Sequence, residues 1–488
     1  MVVFDYLVPE AMNIGRGDMV EVPFRNTVIF GVVRACVDKP STLFPLKTVS
    51  RVLARLTETE LRFYEIVADE LDQSPASVLN AAIPLPPKRS TFPPLSSPPL
   101  LLKKESGMDI GGAIFTSAVT RFICSSTMRK SVRVIAKYRK QNPNSAILVI
   151  APNVLDAERV RDRLAAFHPF FVSGDESTNA RFESWTKFRE STDGLLIGTR
   201  LAALMTHPNL KAIFILRSSH ANHFQADQNP KYDTRRLSEI HQTLSGCERV
   251  LFDVLPRMEE VFNIPLEHIS YSTNQTPATI VAMNKERPVS QNAFIGLMTA
   301  DKMTKTLASG KRVLCAYNKK GIARSLRCGD CGETMPAIPP LPLSCPACKG
   351  VHLVKRGIGN KTLAALLQRM FPSRSVAIID KDTPPTETRA DILLCTRFYF
   401  EHVFNPFAPD ESIGLVCDLD ADTGLYHPTK HALEQTLIAA KEWHGLAESH
   451  QAPFLLQTDM PELFSKYLAD PISTLKNERE AQDAYRLT

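Results

Sequence analysis

Between residues 146 and 255 four short apolar runs recur: "AILVIAP" at 146–152, "GLLIGTR" at 194–200, "KAIFILR" at 211–217 and "RVLFDVL" at 249–255. Between the first two, "NVLDAERVRDRLAAF" at 153–167 carries its apolar residues at helical spacing. Continuous apolar strands alternating with amphipathic helices predict a parallel sheet with crossover helices, since such strands are covered on both faces. A second series begins near residue 311 with "KRVLCAYNKKG", "SVAIIDKD", "DILLCTR" and "SIGLVCDLD". Two similar α/β lobes in tandem are therefore expected, with "RPVSQNAFIG" between them.

The N-terminal region has another texture. "MVEVPFRNTVIFGVVRACV" alternates and then runs β-branched, with turn signals at "GRGD" and "RN", which predicts a small β-structure. "TETELRFYEIVADEL" follows at helical spacing and opens with a threonine-to-glutamate capping pattern. At 83–104, "IPLPPKRSTFPPLSSPPLLLKK" packs proline, serine and basic residues as a stiff extended linker does.

Composition narrows the class without deciding it. A chain of 488 residues is too long for one core. Its 44% hydrophobic and 23% charged residues suit a soluble globular protein. The formal net charge of +6 leans toward polyanionic partners, though an excess of that size also suits a solubilising surface. No apolar run approaches the roughly 18 residues of a membrane span, so no membrane role is expected. "MVVFDYLVPEAM" lacks a basic leader region and predicts no signal peptide. Cys36, Cys124, Cys247, Cys315, Cys395 and Cys417 stand singly, which fits buried thiols in a reducing, cytoplasmic setting.

The remaining cysteines are paired. In "RCGDCGETMPAIPPLPLSCPACKG", Cys328 and Cys331 face Cys345 and Cys348 across thirteen residues. Two thiolate pairs on tight turns complete a tetrahedral S₄ set that zinc fills well. All four ligands come from protein, so one structural Zn²⁺ is expected, with no position open for catalysis.

"VFDYLVPEAMNIGRGDMVEVPFRNTVIFGVVRA", "CGDCG", "CPACKGVHLVKRGIGN", "FPSRSVAIIDKDT" and "DLDADTGLYHP", in this order, resemble the primosomal protein N′ family, the replication-restart helicase PriA. The resemblance implies an α/β architecture: a small β-rich 3′-DNA-binding domain, then two RecA-like lobes, the second with a zinc-binding insertion. The expected divisions are 1–82 for the first domain, 83–104 for the linker and 105–264 for lobe 1. Lobe 2 is expected at 290–450 with its knuckle at 326–350, and a C-terminal region at 451–488. The winged-helix domain of the family is missing or reduced to the linker. The four cysteines match the first and last pairs of the family's larger set, so one of its two zinc sites is retained.

The family's motor motifs are degraded here. The phosphate-binding loop is expected in "GGAIFTSAVTRFICSST", which lacks the second glycine and has no lysine in register, Arg121 and Lys130 included. The metal-holding Asp-Glu-x-His reads Arg217, Ser218, Ser219, His220. The Ser-Ala-Thr motif reads Asp253, Val254, Leu255, and Leu446 and Ser449 occupy the late arginine positions. Phosphoryl transfer depends on those charges, so no catalytic residue is assigned and ATP is not expected as a cofactor.

Binding residues carry over one at a time. The resemblance places Phe4 against a terminal nucleotide, Asp5 near its 3′-hydroxyl, Gly31 at close backbone approach and Lys47 on a phosphate. The same residues taken singly suit a β-domain core, a bulge and a solvated charge. Thr199 and Arg200 resemble a backbone-contacting motif of lobe 1, and also fit a turn at a strand end. Lys231, Tyr232, Arg235 and Arg236 suit either a DNA loop or a helix start. Lys88, Arg89, Lys103 and Lys104 add non-specific phosphate affinity. Asp418, Asp420 and Asp422 read as structural loop residues. The implied function is recognition of forked, 3′-ended or single-stranded DNA, at the nucleoid, and recruitment of replication-restart proteins and single-stranded-DNA-binding protein. The alternative is an active ATP-dependent 3′-5′ DNA helicase with divergent motifs.

Overall fold

A computed structural model describes residues 4–38, 45–84, 119–125, 128–270, 277–286, 294–318, 325–336, 342–356, 358–383, 389–426 and 429–486. The proline-rich segment from 85 onward, residues 111–118 and 126–127 of the expected phosphate-loop stretch, and 287–293 between the lobes lie outside the described residues. The chain divides into two compact units: residues 1–123, 131–253 and 267–270 form the first, and 124–130, 254–266 and 271–488 the second, so that β4 and α3 belong to the first apart from 124–130.

The first unit opens with a three-stranded antiparallel sheet: β1 (Asp18–Phe24), β2 (Thr27–Val32) and β3 (Arg51–Arg55), in the order β2-β1-β3. The alternation read in the sequence puts Val20, Val22 and Val49 into its core, with Tyr6 and Ile29 packed on them. Gly17, at φ +91, precedes β1; a Cβ there would lie 2.5 Å from the Leu56 carbonyl oxygen, so only glycine fits. Helices α1 (Glu58–Glu70) and α2 (Pro75–Ala82) follow. The expected capping box is present: Thr57 Oγ1 accepts from the Glu60 N–H, and Glu60 Oε2 accepts from the Thr57 N–H.

The same unit continues as β4 (Thr120–Cys124), α3 (Met128–Gln141), β5 (Ala146–Ile150), α4 (Val154–Arg163), β6 (Phe170–Val172), α5 (Thr178–Glu190) and β7 (Leu195–Gly198). β8 (Leu210–Leu216), α6 (Thr234–Ser245), β9 (Glu248–Asp253) and β10 (Ile269–Ser270) complete it. The sheet order is β10-β4-β9-β8-β5-β7-β6. β5 pairs in parallel with β7 and β8, and β8 with β9, so the strands read as continuous apolar runs are central and buried.

The second unit contains α7 (Met258–Asn263), β11 (Ala278–Ala282), α8 (Met283–Glu286), α9 (Leu297–Ala308) and β12 (Arg312–Ala316). A small antiparallel sheet of β13 (Ser325–Cys328), β14 (Thr334–Pro336) and β15 (Leu353–Arg356) is inserted next. The main chain resumes with α10 (Asn360–Met370), β16 (Val376–Ile379), β17 (Ile392–Cys395), α11 (Phe398–His402), β18 (Ile413–Asp418), α12 (Ala432–His450) and β19 (Phe454–Thr458). Helices α13 (Pro461–Ala469) and α14 (Pro471–Arg486) close it. The parallel sheet runs β11-β19-β18-β12-β17-β16. It therefore reaches past the expected 290–450 on both sides, because β11 and β19 supply one edge. Among the described residues no helix is long and apolar enough to cross a membrane.

Candidate nucleic-acid interface and metal centre

The N-terminal sheet gathers exposed aromatic and cationic groups at its β1–β2 turn. Phe4 is 49% exposed, and its ring stands edge-on to Phe24 at 5.0 Å. Leu7 bridges to Thr48, and its N–H donates to the Lys47 carbonyl, so this strand-like start lies beside the segment carrying Lys47. Lys47 Nζ donates to the Arg25 carbonyl at 2.8 Å, which brings its cation onto the turn. Asp5 is half-buried and hydrogen-bonded or charge-paired within the fold. Gly31 lies opposite Val20, four residues along β2 from the turn, or about 13 Å at strand rise. A Cβ on it would meet nothing within 4 Å. Phe4 and Lys47 are thus brought together at the turn and Gly31 is not; the turn residue beside them is Arg25, which sequence reading passed over.

Lobe 1 distributes its expected DNA residues differently. Thr199 opens a short 3₁₀ turn after β7, and Arg200 pairs with Asp227 at 3.6 Å. Tyr232 and Arg235 are buried. Arg235 forks onto Asp233 and donates to the Ser218 carbonyl, while Arg236 holds Glu70 and Glu239. These groups stabilise the start of α6 and its contact with α1, the helix-start reading of that loop.

At the C-terminal edge of the lobe 1 sheet, internal bonds occupy the motor positions. Arg217, after β8, has φ +49 and pairs with Asp156 at 3.0 Å. Ser219 donates its N–H to the Asp253 carboxylate at 2.7 Å, and His220 Nδ1 accepts from the Asn222 N–H. Arginine cannot coordinate a cation, and Asp253 is engaged by the neighbouring strand end. In the second unit Leu446 is buried in the core and Ser449 Oγ donates to the Gly445 carbonyl of its own helix. Asp422 accepts from Thr458 Oγ1 and the Asp459 N–H, and Asp418 accepts from the Asp420 N–H, so these carboxylates tie a loop.

One motor position needs correcting. The strand-to-helix step that a phosphate loop requires, from β4 to α3, falls at the end of the expected stretch 111–127, and Lys130 follows it directly. Lys130 and buried Ser131 stand in the first turn of α3 in the Lys-[Ser/Thr] order, with Lys130 Nζ donating to the Cys124 carbonyl at 2.7 Å. No glycine lies between Ser125 and Ser131, so the backbone there lacks the freedom that wraps phosphates. Sequence reading left Lys130 out of register because that register depends on where β4 ends, and "TRFIC" has no period of its own.

The four paired cysteines converge. Their sulfurs all lie within 4.8 Å of one another, with Cys328–Cys348 at 3.5 Å and Cys331–Cys345 at 3.7 Å. Tetrahedral ligands at about 2.3 Å from an ion stand about 3.8 Å apart, so the set fits one metal without rearrangement. Each pair is a tight turn closed in the same way: Gly332 N–H donates to the Cys328 carbonyl, and Lys349 N–H to the Cys345 carbonyl, both at 2.9 Å. The two closing residues have φ +79 and +62. The Cys348 backbone N–H, with that of Ala347, draws the Cys345 thiol down to about 7. At Cys331 the lowering by the Glu333 N–H is outweighed by the neighbouring thiols, which push the group up to about 12, so among these four close sulfurs the first proton leaves Cys345.

Residues 2–84 match the family model for the PriA 3′ DNA-binding domain. The replication restart protein PriA of Bacillus subtilis is 24% identical over 59% of this chain and 41% of its own length. That of Rickettsia felis is 21% identical over 91% of this chain and 76% of its own. Over most of its length the chain is similar to PriA proteins, at 21–26% identity. It spans 41 to 48% of the length of five other curated PriA relatives, counting that of B. subtilis. Among solved structures, RecG bound to a three-way DNA junction aligns over 74% of this chain and 43% of its own, at 10% identity and a TM-score of 0.40.

Proposed function

We propose that this protein binds forked or 3′-ended DNA as a replication-restart component and recruits replication partners without unwinding DNA. The observation that carries the reading is the exposed Phe4 beside Lys47, inside the segment matched to a 3′ DNA-binding domain. An exposed ring offers a base a stacking face worth about 1–3 kcal/mol, and the cation serves the adjoining phosphate. Asp5 accepts from the terminal 3′-hydroxyl, while Thr199 and Arg200 serve the backbone from lobe 1. One zinc ion at Cys328, Cys331, Cys345 and Cys348 holds the knuckle. Its protein partners are restart factors and single-stranded-DNA-binding protein, as the family resemblance implies.

Fluorescence anisotropy with forks ending in a 3′-hydroxyl or a 3′-phosphate tests the pocket. Phe4→Ala should weaken hydroxyl-end binding about 5- to 150-fold, from the stacking range above, and abolish the preference between the two ends. A wild-type protein indifferent to the 3′ group sinks the pocket reading.

The second reading, an active helicase, is favoured by one observation, Lys130 and Ser131 at the β4–α3 step. On the leading reading, ATP turnover stays at background with or without forked DNA. DNA-stimulated hydrolysis that disappears in Lys130→Ala would restore the enzyme.

A further inference from the structure

The β1–β2 turn carries a cation that no expected role uses. Arg25 occupies the first position of a two-residue hairpin turn at φ +51, where glycine or asparagine is the easier residue. Its guanidinium lies 5.7 Å from the centroid of the Phe24 ring, and Phe24 in turn meets Phe4 edge-on. Its carbonyl receives Lys47 Nζ. The turn therefore holds a continuous row of Arg25, Phe24 and Phe4, with Lys47 fastened alongside.

The charges of this sheet divide into two kinds. Arg16 pairs with Glu58 and Glu65, Arg51 with Glu21, and Arg55 with Asp18, so each has a carboxylate. Among the described residues no carboxylate pairs with Arg25 or Lys47, and both are exposed. Two neighbouring cations without counter-charges repel each other, and an anion bridging them relieves that repulsion. Backbone strain at Arg25 adds to the cost of keeping a long cation there.

We propose that Arg25 is a further DNA-positioning residue, contacting the phosphate next to the one held by Lys47, with Phe24 fixing the Phe4 ring edge-on so that its face stays open to the terminal base. The inference rests on the 3′-end pocket reading and deepens it: the ligand is the last two nucleotides of a 3′-hydroxyl strand, not the terminal nucleotide alone. Phe24 touches no DNA; it orients Phe4, and the quadrupole of its ring attracts the Arg25 guanidinium.

The test uses the full-length protein and a fork with a 3′-hydroxyl end, with affinity followed across a salt series. Arg25→Gly relaxes the turn, so its melting temperature should hold or rise while affinity falls severalfold. The slope of log affinity against log salt should shrink by about 0.7, the share of one single-strand phosphate, and Arg25→Lys should restore most of it. Discrimination of a 3′-hydroxyl from a 3′-phosphate should persist in Arg25→Gly. An unchanged slope in Arg25→Gly, with Lys47→Ala still losing its share, overturns the role of Arg25 and leaves the pocket standing. Loss of end discrimination in the wild-type protein itself removes the pocket and this inference together.

Discussion

Glu60→Ala should destabilise the first unit by about 3–5 kcal/mol, the range for breaking a buried ion pair from one side. Glu60 is 2% exposed, and its carboxylate accepts two bonds from Arg189 at 2.8 Å, one from Thr206 Oγ1 and one from the Thr57 N–H. Burial alone would raise its carboxyl, but Arg189 and these hydrogen bonds outweigh that and hold it below the ordinary value. Alanine leaves the Arg189 guanidinium in the interior without its counter-charge. The pair also joins α1 to the α/β sheet region, since Arg189 ends α5. Around it Tyr64 donates to the Leu204 carbonyl, and Phe63 stacks on His241 at 3.9 Å. The N-terminal domain and lobe 1 should therefore unfold as one cooperative step.

The chain has two tryptophans, and the structure places Trp185 in the first unit and Trp443 in the second. In a Trp443→Phe background, urea unfolding followed by fluorescence reports the first unit alone. Glu60→Ala should lower that midpoint sharply; an unchanged midpoint means the ion pair is not what joins α1 to lobe 1. The pH dependence has a definite sign. A carboxyl depressed in the folded state stabilises above its unfolded value of about 4.3 and loses that contribution as pH falls through the folded value. The acid limb of the wild-type stability curve should therefore be steeper than that of Glu60→Ala.

What the sequence made legible follows from pattern strength. β5, β7, β8, β9, β12, β16, β17 and β18 are short apolar runs between helices, and each is found where its run lies. The Thr57 capping box and the two Cys-x-x-Cys turns are local chemistry and need no tertiary information. Helix α12 was not legible, because nearly all its faces are buried, including Lys441, Glu442 and His444, so it carries no amphipathic period. β19 is a five-residue strand whose place between β11 and β18 comes from long-range pairing. Arg25 was missed because an arginine at a hairpin turn reads as an ordinary solvated charge. Its significance comes from Phe4 and Lys47, which are distant in sequence and adjacent only after β1 and β2 pair.

Metal removal should unfold the knuckle and leave both parallel sheets intact. Between residues 325 and 356, among those whose burial is described, Leu326, Cys328 and Cys345 are buried, and two of the three belong to the four-cysteine cluster. The three strands of this insert have four, three and four residues, too little for an independent antiparallel sheet. Apolar burial therefore cannot hold it, and the proposed zinc ion has to supply the folding energy, about 10–16 kcal/mol in comparable small sites. Cys345→Ser should reduce bound metal from one equivalent to none by mass spectrometry. Limited proteolysis should then cut first within 325–356, while the Trp185 and Trp443 unfolding midpoints stay within about 0.5 kcal/mol of wild type, as expected for a peripheral insert. Cys36→Ser, at an exposed cysteine outside the cluster, should change none of these readings. Wild-type protein that retains no metal after purification under reducing conditions, yet resists cleavage in the knuckle, would show that the four thiols pack without an ion. Loss of the Trp443 midpoint together with the metal would instead make the knuckle part of the second unit's core, against the sparse burial seen there.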